Sequence, residues 1–282
     1  METKRKNSIF IRQNDKEILE MQAAAKLYYS LTPKIDTFIY IINAITLLIM
    51  IIFESNDWLI ITDFVISVIL LLLNCFINLY RKNGAKIREY IDGKLYEIEC
   101  DIREEDVRKL VLKQKKKHQD SIDIYCENTG NDNPRGVKNW YSDYSDKNRV
   151  NEILSCQKEN LYFDEEIMNK YFYLLIFEFI VILLVGVFLY YKFNFLTSLE
   201  MTYDLIIFVS TKIYCVCKQK YDNSNIKSYI AGCEKNLKLE NIKHIQKQIN
   251  KRRKLNIDIP NFIHNNYSNE LHNDYNYIIN NK

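Results

Sequence analysis

Two apolar stretches decide the fold of this chain: residues 35–53, IDTFIYIINAITLLIMIIF, and residues 58–80, WLIITDFVISVILLLLNCFINLY. Four polar residues, Glu54-Ser55-Asn56-Asp57, separate them, and no charged side chain occurs in 37–53 or in 64–80. Crossing the hydrocarbon core of a bilayer takes about 20 apolar residues in a helix, more than a buried helix of a water-soluble protein needs. The stretches therefore predict a transmembrane helical hairpin.

A second pair of apolar stretches, Tyr171–Tyr191 and Leu199–Cys217, repeats this arrangement. The chain has 282 residues but only 6 glycines and 3 prolines, which favours helix almost throughout. We predict an all-α membrane protein with two transmembrane helical hairpins, four spans in all, and a helical cytoplasmic domain. The predicted segments are a cytoplasmic N-terminal amphipathic segment (1–34), hairpin one (35–80), a cytoplasmic helical insert (81–170), hairpin two (171–217) and a cytoplasmic helical tail (218–282).

The distribution of positive charge predicts the orientation. Seven lysines and arginines precede the first span and four follow the second within residues 81–88, whereas the first hairpin turn carries only acidic charge. Lysine and arginine concentrate on the cytoplasmic side of membrane proteins. We therefore expect a multi-pass membrane protein with both termini and the insert in the cytoplasm.

Local patterns in the polar segments predict three further features. Apolar residues at helical spacing indicate an amphipathic helix over Asp15–Ser30, which Pro33 is expected to end before the first span. A helix after the second span should be interrupted at Gly93, and another should cover Asp101–His118.

Three spans carry a stripe of polar residues on one helical face. Such stripes either form hydrogen bonds between helices or line a wettable lumen, and three together favour a lumen formed in a homo-oligomer. The stripes are Asp36, Tyr40, Asn43 and Glu54 on the first span, Asp63, Ser67, Asn74 and Asn78 on the second, and Asp204, Thr211 and Cys215 on the fourth.

Two ionisable residues of the second hairpin, Glu178 and Lys212, lie at similar distance from its turn and hence at similar depth. We expect them to form an ion pair that joins the third and fourth spans, because an unpaired charge in hydrocarbon is costly. The alternative is that Lys212 extends its ammonium group to the cytoplasmic interface.

Other classes of function find little support in the sequence. The seven cysteines form no CxxC pair or His/Cys cluster, so we expect reduced thiols and no metal site. No phosphate-binding glycine loop, HExxH or GxSxG motif occurs, so we expect neither an enzyme nor a cofactor. A net charge of +3 is too small to indicate double-stranded nucleic acid as a partner. The basic runs Lys113–Lys117 and Lys251–Lys254 are interpreted as solvated helix faces or contacts with lipid headgroups, or alternatively as ligands of a phosphate.

Several short strings together resemble a known family. They are Gly136-Val-Lys-Asn-Trp-Tyr-Ser-Asp143, Ser155-Cys-Gln-Lys-Glu-Asn160 with Asp164, Arg12-Gln13-Asn14 near the start, and a Gly84-Ala-x-Ile-x-Glu89-x-x-Asp92 string after the second span. Along the chain these strings occur in the order expected for the SMODS-associated four-transmembrane effectors, and the chain resembles that family of pore-forming effectors of bacterial antiphage defence, which implies a location in a bacterial inner membrane. SMODS enzymes are nucleotidyltransferases that make cyclic oligonucleotides.

The resemblance implies a function and a set of sensing or gating residues. An upstream enzyme would respond to infection, and a cyclic oligonucleotide or the enzyme itself would activate this chain. The activated chain would oligomerise, permeabilise the membrane and arrest growth or kill the cell, as in abortive infection. An alternative is a membrane-anchored sensor or scaffold whose spans only tether a cytoplasmic binding domain, and another is a small transporter or embedded hydrolase. The implied sensing or gating residues are Arg12, Gln13, Asn14, Glu89, Asp92, Trp140, Tyr141, Ser142, Gln157, Asn160 and Asp164, although Trp140 and Tyr141 would also suit simple packing.

Overall fold

The computed structural model describes residues 7–53, 57–254, 257 and 259–280, and its regular structure is helical. Most of the predicted first hairpin turn, 54–56, lies outside the described residues, as does Glu54 of the first polar stripe. The helices are α1 (Ile9–Arg12), α2 (Lys16–Phe53), α3 (Asp57–Tyr96), α4 (Glu104–Glu127), α5 (Arg149–Lys192), α6 (Phe195–Cys233), α7 (Leu239–Lys254) and α8 (Asn261–Asn280), with a 3₁₀ turn at Glu234–Asn236.

Four of these helices are much longer than a bilayer is thick. Helices α2, α3, α5 and α6 contain 38, 40, 44 and 39 residues. At 1.5 Å per residue each is about 57–66 Å long, roughly twice the hydrocarbon thickness of a membrane. Each helix therefore has an apolar part and a polar extension of comparable length.

The long helices pack as two pairs, α2 with α3 and α5 with α6, and the pairs meet mainly through α2 and α6. In the described part of the chain, three helices are long and apolar enough to cross a membrane: α2, α3 from Ile61 on, and α5. Only 22%, 11% and 17% of the residues in their apolar windows are buried, so most of these apolar side chains face outward. Outward apolar faces of this extent are typical of helices solvated by lipid.

A hydrophobic core lies outside the apolar windows, and we call the part of the molecule that contains it the base. It consists of α1, α4, α7 and the polar extensions of the four long helices. Ile87 and Ile91 of α3, Ile153 of α5, Ile226 of α6 and Ile245 of α7 are all 5% exposed or less and pack in this one core. The insert and the tail therefore fold together on the same helices that carry the apolar windows.

The prediction that Pro33 ends the first amphipathic helix is wrong, because α2 continues through it to Phe53. A proline inside a helix leaves the carbonyl four residues earlier without its usual N–H donor. Here that carbonyl belongs to Tyr29, and the hydroxyl of Thr32 donates a hydrogen bond to it at 3.0 Å. The local sequence thus compensates for the proline, and the base and the first span share one continuous helix.

The prediction of an interruption at Gly93 is also wrong, since α3 runs on to Tyr96. Glycine is required there for space: a Cβ atom at this position would lie 2.9 Å from Cβ of Cys100, where the chain returns past the helix. Glu97, with φ of 58°, then ends the helix, and the N–H of Ile98 donates to the Gly93 carbonyl at 3.1 Å. The predicted helix end at His118 coincides instead with a kink within α4, where φ is −143° and ψ is 40°.

Candidate functional site

A buried polar network occupies the centre of the base and contains most of the residues of the family-like strings. Its first part joins the N-terminal segment to the loop between α4 and α5. Gln13 Nε2 donates to the Tyr141 carbonyl at 3.0 Å, and the Tyr141 N–H donates to Gln13 Oε1 at 2.7 Å. Asn14 forms a similar pair with Asn139, with distances of 2.8 and 3.0 Å. These reciprocal bonds fix the loop against α1.

The hydroxyl of Tyr141 lies at the junction of α3 and α5. It accepts hydrogen bonds from Tyr96 of α3 and Asn160 of α5, both at 2.9 Å, and donates to Asp92 Oδ1 at 3.4 Å. Burial raises the pKa of both the Tyr96 and the Tyr141 hydroxyls, so both remain protonated at neutral pH. The junction therefore presents neutral donors to the Asp92 carboxylate.

Asp92 is 2% exposed and is the acceptor on which the network converges. Its Oδ2 atom accepts from Gln246 Nε2 at 2.8 Å and forms an ion pair with Arg253, both on α7. Burial alone would lower the pKa of Arg253, but the Asp92 carboxylate outweighs that effect and raises it. Gln157 of α5 donates to Gln246 Oε1 at 2.9 Å. Gln246 of α7 is therefore bonded to both α3 and α5.

A second set of contacts joins α7 to the long helices beside this network. Arg252, 4% exposed, contacts Asp164 of α5 and Asn223 of α6. Lys254 forms an ion pair with Glu89 of α3 at 2.9 Å. The interpretation of Lys251–Lys254 as a solvated or headgroup-binding run is therefore wrong for Arg252 and Arg253. Both turn inward because α7 packs against three helices that each present an acceptor.

Glu159 forms a third cluster and is 2% exposed. It accepts hydrogen bonds from the Ser142 N–H at 3.1 Å, the Ser142 hydroxyl at 2.9 Å and the Tyr144 hydroxyl at 3.2 Å. Burial raises the pKa of Glu159 to about 7, and these hydrogen bonds offset only part of the effect. The Tyr144 hydroxyl also contacts that of Tyr275 at 3.1 Å, which links α8 to the base.

The remaining two family-like residues lie at the edge of the base. Arg12 contacts Glu97 and donates to the Lys94 carbonyl at 2.7 Å, so it caps the end of α3. Trp140 is 42% exposed, and the Arg88 guanidinium stacks 4.2 Å from its ring centroid. Trp140 is therefore not a core residue, whereas Tyr141 beside it is.

Polar residues of the apolar windows make contacts of two kinds. The Ser67 hydroxyl of α3 donates to Asp204 Oδ2 of α6 at 2.9 Å, and Asp63 lies within electrostatic range of Asp204. Asn74 donates to the Leu70 carbonyl of its own helix at 3.2 Å. Ser67 and Asp204 thus connect the two hairpins, while the Asn74 amide forms its hydrogen bond within its own helix.

The predicted partner of Lys212 is wrong. Its ammonium group contacts Asp36 of α2, and Glu178 of α5 lies within electrostatic range of both groups. Similar depth alone could not identify the partner, because α6 faces α2 at this level. Asp36 is 7% and Asn43 9% exposed, so the polar face of α2 lies inside the bundle.

Thr211 is exposed in the structure rather than in the interior of the single chain. It lies seven residues after Asp204 and so on the same face of α6, beyond the contact with Ser67. Asp63, Ser67, Asn74, Asp204 and Thr211 are therefore partly or fully exposed polar residues on the helical faces that carry the Ser67–Asp204 contact, and we call this set the α3–α6 polar surface.

Sequence reasoning missed several members of the base network. Gln246 interrupts an isoleucine stripe formed by Ile242, Ile245 and Ile249, and a polar residue on a buried face is a signal that could have identified it. The inward direction of Arg252 and Arg253 had no such signal. Within the described residues, no group of His, Cys, Asp and Glu side chains is arranged to hold a metal ion.

Comparison with known proteins gives one match. A family model described as the SMODS-associating 4TM effector domain matches residues 7–203. No curated protein and no solved structure matches the chain. The matched range includes Gln13, Asp92 and Tyr141 of the network, but ends before the polar half of α6 and before α7 and α8.

Proposed function

This chain belongs to the SMODS-associating 4TM effector family, and on that premise we propose that it permeabilises the bacterial inner membrane under the control of a cyclic-nucleotide signal. The family is a four-transmembrane effector associated with SMODS, and hence with cyclic-nucleotide signalling in defence. The finer statement, that this chain breaches the bilayer and does so without enzymatic chemistry, is supported by three features of its structure.

The continuity of the long helices carries the proposal. Asp92 of α3 and Asp164 of α5 belong to the base, yet each lies on a helix that continues into an apolar window. A ligand can shift such a protein only by binding one conformation better than another. Any rearrangement around Asp92 or Asp164 would be transmitted directly to the bilayer, since no flexible linker intervenes.

Helix α6 supplies the fourth span in this proposal. It pairs with α5 and α2 alongside their apolar windows. Its one lysine at that level, Lys212, is neutralised by Asp36, which lowers the cost of placing it in a membrane. With four spans, both termini and the base lie on the same side, and the positive-inside rule places that side in the cytoplasm.

The α3–α6 polar surface supports permeation by an assembly of copies. Asp63 and Asp204 are only partly buried, and Thr211 is exposed, at a level where the neighbouring side chains are apolar. Ionisable and polar groups facing lipid are costly and usually line water or another helix. Several copies arranged with these polar surfaces facing one another would enclose a wet, polar lumen and leave the apolar faces to lipid.

The test is dye entry into cells that express the chain together with its nucleotidyltransferase. Asp63→Leu and Asp204→Leu should abolish dye entry at unchanged protein level. The matched control is Phe64→Leu, because Phe64 lies at the depth of Asp63 but is apolar and 69% exposed. Growth arrest with intact membranes would overturn the proposal and favour a tethered scaffold, as would full activity of both aspartate variants.

A further inference from the structure

A second concave site lies in the base, between the polar half of α6 and α7. Its volume is about 290 Å³, its floor includes Ile226 and Ile245, and its rim includes Tyr229, His244 and Lys251. We call it the α6–α7 cleft. It lies outside the matched range 7–203, so membership of the family assigns nothing to it.

The cleft contains a fixed pair of aromatic rings. The Tyr229 and His244 ring centroids lie 4.6 Å apart, with an interplanar angle of 36°. Asn241 donates to the Tyr229 hydroxyl at 3.1 Å and accepts the Lys238 N–H at 2.9 Å, so the start of α7 holds the tyrosine in place. Tyr229 is nevertheless 38% exposed, and His244 is exposed too. Exposed, preorganised rings of this kind are suited to stack against a nucleobase.

Positive charge follows the same side of α7. Lys243, Lys247 and Lys251 recur every four residues, so they share one face, and all three are exposed. Two basic residues, Lys251 and Arg252, and one acidic residue, Asp222, line the cleft itself, so its net charge is positive, and the amide side chains of Asn225 and Gln248 line it too. Lysines beside an aromatic platform provide the charge complement of a phosphate beside a base.

We propose that the α6–α7 cleft binds one nucleotide unit of a cyclic oligonucleotide, with the base on Tyr229 and His244 and the phosphate on Lys251. This inference rests on the proposed function, which supplies the class of ligand, and it adds the site. The volume is near the lower end of ligand pockets, about 300–1,000 Å³, which suits one unit with the rest of the ring outside. The Asn225 and Gln248 amides are placed to bond the edge of the base.

The cleft is linked to the long helices through Arg252, which also lines it. The Arg252 guanidinium contacts Asp164 of α5 and Asn223 of α6. A phosphate held at Lys251 would attract the neighbouring guanidinium and weaken its contact with the Asp164 carboxylate. A ligand in the cleft would thus change the contacts of α5 and α6, two helices that continue toward the membrane.

A lipid headgroup shares the phosphate chemistry but not the geometry. Lys251 and His244 are seven residues apart on α7, which separates them by about 10 Å along the helix. A headgroup could neutralise Lys251 but has no ring to stack on Tyr229 or His244. Substitution of the aromatic residues therefore distinguishes a nucleotide from a lipid.

The experiment measures binding of cyclic di-AMP and cyclic di-GMP to the full-length, detergent-purified protein. Tyr229→Ala and Lys251→Ala should each weaken binding of the better ligand by about tenfold, the loss expected for one base stack or one charge contact. Tyr229→Phe should bind normally because it keeps the ring. The matched controls are Tyr221→Ala and Lys116→Ala, since both side chains are exposed and neither lines the cleft.

Three results would overturn the inference: no binding of either dinucleotide, unchanged binding by Tyr229→Ala, or equal displacement by phosphatidylglycerol vesicles in the wild type and in Tyr229→Ala. Dye entry is scored separately. Binding that depends on the cleft without any dye entry would sustain this site and remove the proposed function. Dye entry with no dinucleotide binding would support the proposed function and overturn this site.

Discussion

The ion pair between Asp92 and Arg253 offers the sharpest quantitative test of how the base is held together. The two side chains are only 3% and 13% exposed, and they join α3 to α7. Removing one partner of a buried pair typically costs about 3–5 kcal/mol, because the other charge is left uncompensated. We therefore expect both Asp92→Asn and Arg253→Met to lower the free energy of unfolding strongly.

The structure also predicts which single substitution costs more. Arg88 lies within electrostatic range of both Asp92 and Arg253. In Asp92→Asn, two neighbouring cations lose their shared counter-charge. In Arg253→Met, the Asp92 carboxylate keeps the Gln246 and Tyr141 hydrogen bonds and the Arg88 charge. Asp92→Asn should therefore be near the upper end of the range, about 5 kcal/mol, and Arg253→Met near the lower end, about 3 kcal/mol.

The assay is equilibrium unfolding of the full chain in detergent micelles, arranged as a double-mutant cycle. The double variant should cost less than the sum of the single variants by about 2 kcal/mol or more, since directly contacting charges are strongly coupled. The matched control is Lys158 with Glu234, an exposed pair at 2.6 Å that should couple by less than about 1 kcal/mol. Additive costs for Asp92 and Arg253, or a milder effect of Asp92→Asn, would refute the reasoning.

Three further predictions concern Glu159, Gly93 and Lys212. The pKa of Glu159 is about 7, against an ordinary 4.5, so the folded state binds this proton more tightly than the unfolded state does. Stability should therefore fall as the pH rises from about 4.5 through 7. Glu159→Gln should flatten this dependence of stability on pH, as measured by melting curves. A steeper slope in the variant would contradict this. Gly93→Ala should destabilise the protein by about 1–3 kcal/mol through overpacking, whereas Gly232→Ala, with open space around it, should stabilise it by up to about 1 kcal/mol. The same unfolding assay measures both variants. Equal effects would argue against the close approach of Cys100 to Gly93. Lys212→Met should reduce the amount of protein recovered from membranes, and adding Asp36→Asn should restore it, which would not happen if Lys212 were free at the interface.

Much of the architecture follows from the sequence. The long helices pair as the sequence predicts, and three of the four predicted spans are long and apolar enough to cross a membrane. A run of about 20 apolar residues has few ways other than a spanning or buried helix to satisfy its backbone. Gln13, Asp92 and Tyr141 of the family-like strings lie in one hydrogen-bonded network, whereas their role in sensing or gating stays a prediction. These signals are carried by local composition and by order along the chain.

The helical content, the apolar windows and the polar residues that share a helical face could all be predicted from the sequence, since each depends on near neighbours along one chain axis. The wrong helix ends at Pro33 and Gly93 show that the limits of a helix depend on further contacts. The contact of Lys212 with Asp36 rather than Glu178, and the inward direction of Arg252 and Arg253, depend on the packing of the helices. Helical periodicity gives the direction of a side chain from its own axis but not the identity of the helix in that direction. Depth along the bundle narrowed the candidates for Lys212, and the packing of α6 against α2 selected one of them.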